Sequence, residues 1–121
     1  RCYAPTRASG FVSFACLETG LWLYRISDGQ LFALGRGGAP HISTDGRYLV
    51  FERTEDDGHQ VRASGLFVVD LGNPGVPRRL LDGPGFERHG SLSLPDAKGI
   101  RTLAYEDRGQ IYLVRLNPES P

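Results

Sequence analysis

One seven-residue pattern occurs three times in this chain at a fixed interval. Gly20-Leu21-Trp22-Leu23-Tyr24-Arg25-Ile26 aligns with Gly65-Leu66-Phe67-Val68-Val69-Asp70-Leu71 and with Gln110-Ile111-Tyr112-Leu113-Val114-Arg115-Leu116, 45 residues apart both times. In each copy the order is aliphatic, aromatic, aliphatic, apolar, charged, aliphatic. A strand built from it is largely apolar on both faces, because successive side chains point to opposite sides. Such a strand must be covered on both sides. A period of this length signals equivalent units stacked on one another.

The rest of the repeat reads as short strands and turns. Gly 16 and Pro 8 punctuate the chain, and no stretch keeps apolar residues at helical spacing for three turns. Ser43-Thr44-Asp45-Gly46-Arg47-Tyr48-Leu49-Val50-Phe51 corresponds to Leu94-Pro95-Asp96-Ala97-Lys98-Gly99-Ile100-Arg101-Thr102-Leu103-Ala104-Tyr105, and to Ala4-Pro5-Thr6-Arg7-Ala8-Ser9-Gly10-Phe11-Val12-Ser13-Phe14, which keeps the pattern without the Asp. Downstream of the long strand, Gln30-Leu31-Phe32-Ala33-Leu34 parallels Pro77-Arg78-Arg79-Leu80-Leu81. Each repeat is therefore four short antiparallel strands joined by tight turns such as Ser27-Asp28-Gly29 and Gly72-Asn73-Pro74. The expected fold class is all-β, with β-propeller-type blades. Blade one spans about 1–38, blade two about 39–85 and blade three about 86–121. The last blade lacks a convincing fourth strand, since Asn117-Pro118-Glu119-Ser120-Pro121 is turn-like and polar.

The motif Ser43 to Phe51, followed by Gly65 to Leu71 and Pro77 to Leu81, resembles the WD-like propeller repeat of the TolB type. Blade two fits that repeat well, blade three fits its first and middle parts, and blade one mainly its middle. TolB-type propellers resemble closed six-bladed rings, whereas this chain supplies at most three blades. A half-ring exposes two apolar blade faces and an unpaired strand edge, so a second copy, another subunit or a longer chain must cover them. The resemblance implies a periplasmic or lumenal setting and a partner attached to a membrane complex.

Lys+Arg 14 against Asp+Glu 14 gives a formal net charge of zero, so no polyanion-binding field exists and nucleic acid is excluded as an expected partner. No apolar run reaches the ~20 residues of a membrane span. The chain opens at Arg1 and has no Met, which suits removal of an export signal. Cys2 and Cys16 fall on neighbouring antiparallel strands of blade one. They are expected either as a disulfide fitting an oxidising compartment or as two buried thiols.

Candidate chemistry is sparse. Asp45-Gly46 reads as a turn whose Asp accepts backbone amides, not as a metal loop. His41, His59 and His89 lack metal-ligand spacing, and Ser91 and Ser93 lie in no nucleophile elbow. No catalytic residue, metal or cofactor is expected. The charged segment Glu52 to Arg62 reads as a long loop between the second and third strands of blade two. It shares a rim with Gly85-Phe86-Glu87-Arg88-His89-Gly90, and Glu55, Asp56, Asp57, His59, Arg62, Arg88 and His89 form the candidate partner-binding rim. Trp22, Phe67 and Tyr112, with Phe14, Phe51 and Tyr105, are expected as blade core. Arg25, Asp70 and Arg115, at equivalent positions, are expected to pair blades or copies of the chain.

These readings describe a non-catalytic, protein-binding propeller module of the cell envelope, exported and docked on a larger complex. Two alternatives accompany it: a structural subunit completed by strand or blade donation, and a propeller fragment associated with a hydrolase.

Overall fold

The computed structural model describes residues 1–56, 61–81 and 85–117. Three antiparallel sheets follow one another along the chain. The first contains β1 (Cys2–Ala8), β2 (Phe11–Cys16), β3 (Gly20–Arg25) and β4 (Gln30–Gly35) in sequence order. The second contains β5 (Gly38–Ile42), β6 (Tyr48–Asp56), β7 (Val61–Asp70) and β8 (Arg78–Arg79). The third contains β9 (Glu87–Leu92), β10 (Arg101–Asp107) and β11 (Gln110–Leu116).

Local chemistry sets the hairpins. At Ser9-Gly10 and Arg108-Gly109 both residues have positive φ, between strand pairs closed by Ala8↔Phe11 and Asp107↔Gln110. Two consecutive positive φ values define the mirror-image turn whose twist suits an antiparallel hairpin, and glycine takes the second position without a Cβ clash.

The second sheet is buried on both faces. Leu49, Phe51 and Val69 pack with Phe11, Leu21, Leu23 and Leu34 of the first sheet, while Val50, Leu66 and Val68 pack with Leu92, Leu103 and Leu116 of the third. This division follows from the pleat, in which Leu49↔Val69 and Val50↔Val68 are successive pairs on opposite sides. Each fully buried Leu or Val contributes about 1.5–3 kcal/mol relative to exposure. At the junction with the third sheet the backbones come close. A Cβ on Gly90 would stand 2.8 Å from Val50 Cγ1, so β9 needs glycine there.

Two expectations are corrected. Glu52 to Arg62 is not simply a loop, because the ladder runs on through Arg53↔Gly65, Thr54↔Ser64 and Glu55↔Ala63 to Asp56↔Val61. Backbone pairing continues after the apolar run stops, since ladder bonds do not need apolar side chains. The blade core is also more aliphatic than aromatic. Phe51 is fully buried, but Phe67 and Tyr105 are only partly buried, Phe14 and Trp22 are intermediate, and Tyr112 is 45% exposed. Trp22 and Phe67 stand at equivalent places on β3 and β7. Leu21, Leu23, Leu66 and Val68, on the opposite face of the same strands, take the dry positions.

Candidate functional site

The rim formed by the β6–β7 hairpin and the chain entering β9 is tied together by buried polar groups. Ser64 makes an isolated parallel bridge to Phe86, its N–H donates to the Gly85 carbonyl at 2.9 Å, and its hydroxyl donates to the Glu87 carbonyl at 2.6 Å. The Glu87 side chain accepts the Leu66 N–H at 3.1 Å. Burial pushes the Glu87 carboxyl up from its ordinary value, and the Leu66 amide opposes that shift. Beside it, Asp107 accepts the Phe86 N–H at 3.3 Å and the Arg108 guanidinium lies 4.6 Å from the Phe86 ring centre. Phe86, Arg88, Glu106 and Arg108 line a shallow cavity of about 220 Å³.

Of the expected rim residues, Arg88 lines this cavity. His89 stands at positive φ with its N–H donating to Glu52 Oε2 at 2.9 Å and its ring 3.8 Å from the Glu106 carboxylate. Asp57 and His59 lie outside the described residues, as do the side chains of Glu55, Asp56 and Arg62. Further round the rim, Arg53 donates to the carbonyls of Arg36 and Leu34 at 2.6 and 2.8 Å and covers the Phe67 ring. Burial and the neighbouring Arg36 lower its pKa. Its role is to cap carbonyls where the first sheet hands over to the second. Among the described residues no group of three or more His, Cys, Asp or Glu is placed to hold a metal.

On the opposite rim Asp45 does what its turn position predicts, accepting the Ser43 hydroxyl at 2.8 Å and the Arg47 N–H at 3.4 Å. It also has a partner that sequence reasoning missed. Arg101, 8% exposed, forks onto both carboxylate oxygens at 3.1 and 2.6 Å and packs over the Tyr48 ring, clamping the third sheet to the second. The guanidinium holds the Asp45 carboxyl well below the usual range. No local signal marks this pair, because the two residues are far apart in sequence and Arg101 aligns with Arg47, which pairs within its own sheet to Asp70. Arg25, Asp70 and Arg115 do not link sheets as expected. Each pairs inside its own sheet or its turns, with Asp28, Arg47 and Asp96. At the first strand Cys2 and Cys16 are directly opposite and form a disulfide.

No family model and no curated protein matches the chain. Solved structures do. The chain superposes on the β-propeller domain of the Trilobed protease from Pyrococcus furiosus with a TM-score of 0.58 and 14% identity, over 98% of its own length and 43% of that chain. It is also similar to an acylaminoacyl peptidase, with a TM-score of 0.55 and 19% identity over 92% of this chain and 19% of that one. The fold is that of a β-propeller. The three sheets are its blades, and the chain spans less than half of either solved structure. These matches overturn the expectation of a non-catalytic envelope module. The two structures named here come from a protease and a peptidase.

Proposed function

We propose that this chain is part of the propeller of a peptidase, a rigid scaffold beside a catalytic unit that its own residues do not form. The observation that carries this reading is that nearly the whole chain superposes on propeller blades from two different peptidases. The repeat's resemblance to the TolB type supports a WD-like blade, and the Cys2–Cys16 disulfide supports an exported, oxidising compartment. The surface offered to the catalytic unit is the rim of Arg88 and His89 with Glu55, Asp56, Asp57, His59 and Arg62. Support comes from the shallow cavity lined by Arg88 and from the firm base that the Ser64 hydroxyl to Glu87 carbonyl and His89 N–H to Glu52 bonds give it.

Immunoprecipitation from source cells with an antibody to these 121 residues, followed by assay of the precipitate on a fluorogenic peptide library, tests the proposal. The expected result is peptidase activity in the precipitate, on the same polypeptide or bound to it. A precipitate without peptidase activity overturns it.

A further inference from the structure

The Cys2–Cys16 disulfide lies open on one face of the first sheet. Directly paired residues on neighbouring strands share a face, so Cys2, Cys16 and Gly20 form one row across β1, β2 and β3. On one flank β1 is the edge of its sheet, and on the other Gly20 offers no side chain. Glycine is required at that place, because φ is +91° and a Cβ would meet the Gly35 carbonyl oxygen. Cys2 is exposed and Cys16 half-buried, and Cys16 lines a cavity of about 360 Å³ together with Tyr3, Glu18, Thr19 and Arg36. The strand that the disulfide holds has its ladder bonds and little packing. None of the described side chains of β1 is buried, Ala8 alone is half-buried against the core, and the register slips between Tyr3 and Thr6.

We propose that Cys2–Cys16 is a site of thiol–disulfide exchange, reduced in the folded chain by a dithiol oxidoreductase, and that its reduction releases β1 from β2. A thiolate of the oxidoreductase attacks the Sγ of Cys2, the more exposed of the two. The bond between the two sulfurs breaks, and its electron pair leaves on Cys16 Sγ, which takes a proton from water. The second thiol of the oxidoreductase then loses its proton and attacks the mixed disulfide, and Cys2 leaves as a thiolate that is protonated in turn. The dithiol ends oxidised and both cysteines end as thiols. With the bond open β1 keeps only its ladder to β2, and it can leave without drawing a buried side chain out of the core. Its departure bares the edge of β2, while the second and third sheets keep their packing. Nothing in this exchange depends on the peptidase reading.

Two probes of the unaltered chain test the exchange. A thioredoxin-type oxidoreductase whose second active-site cysteine is replaced by serine traps the mixed disulfide, which is expected at Cys2 when the joined peptides are weighed. Dithiothreitol is expected to reduce the bond in native buffer at a rate within about tenfold of that in urea. A mixed disulfide at Cys16, none at all, or a slower native reduction overturns the proposal. Trypsin tests the release, since Arg7 lies in β1. Cleavage after Arg7 is expected to be at least about tenfold faster in the reduced chain than in the oxidised one, with cleavage after Arg47 and Arg101 unchanged. The chain carrying Cys2→Ser and Cys16→Ser is expected to match the reduced chain without any reductant. Unchanged cleavage after Arg7 overturns the proposal. Equal acceleration throughout the chain also overturns it, because the bond would then be a staple for the whole fold.

Discussion

At the scale of single residues, the Asp45–Arg101 pair shows how little a motif reveals about its partner. The turn role of Asp45 was legible, since an Asp before Gly accepts local amides in this kind of turn. The fork from Arg101 was not, because it depends on the distance between two sheets. Arg101→Ala leaves a partly buried carboxylate without its cation, and a loss of about 2–3 kcal/mol is expected in denaturant titrations. Gly90→Ala places a methyl against Val50 and Leu66, and is expected to cost about 1–3 kcal/mol in the same measurement. Glu87 works in the opposite sense to Asp45. Its carboxyl is raised by burial, so ionisation opposes folding as pH rises above about 4.5, and Glu87→Gln is expected to stabilise the chain more at pH 7 than at pH 4.

At the scale of elements, the most legible strands were β3, β7 and β11, whose apolar pattern repeats along the chain. The first strand of each sheet was the least legible. β9 reads Glu-Arg-His-Gly-Ser-Leu and β5 Gly-Ala-Pro-His-Ile, with little branched or aromatic content, and in β9 close packing against Val50 and Leu66 selects Gly90. The extension of β6 and β7 into the charged segment was missed for a related reason: hydrophobic patterning says nothing about ladder bonds beyond the core. The Cys2–Cys16 disulfide pins β1 to β2, where the Leu17 N–H to Arg1 carbonyl bond closes the end of the sheet. It closes a short loop worth about 3 kcal/mol in the chain-entropy account. Reduction is expected to speed hydrogen exchange in β1 while β6 and β7 keep their protection. Thiol titration of unreduced, denatured protein is expected to find no free thiol.

For the whole molecule, burial on both sides of the second sheet is the source of cooperativity. The acid response follows from depressed carboxyls. The Asp28 carboxyl is lowered to about 2, chiefly by the Arg25 hydrogen bond, Asp45 is lowered by Arg101, and Asp96 by the Ile100 and Lys98 amides. A depressed folded-state pKa means a contribution present above the unfolded value, near 3.8, and lost as pH falls through the folded value. Stability measured by urea titration is therefore expected to fall as pH drops below about 4. Asp45→Asn is expected to flatten that slope, at the cost of lower stability at neutral pH.

The sequence by itself determined the blade. A 45-residue period, strands apolar on both faces and Asp-Gly turns permit little else, because each copy must bury two faces and can do so only by stacking. Tertiary structure decided which residues hold the blades together. Leu66 is buried while Ile111, its equivalent in the repeat, is exposed, although their sequence contexts are nearly the same. Asp45 is clamped by Arg101 of the following sheet, whereas among the described residues Asp96 meets the exposed Arg115 of its own sheet. Local sequence specifies what each face can receive, and the neighbouring sheet in space decides whether it receives anything.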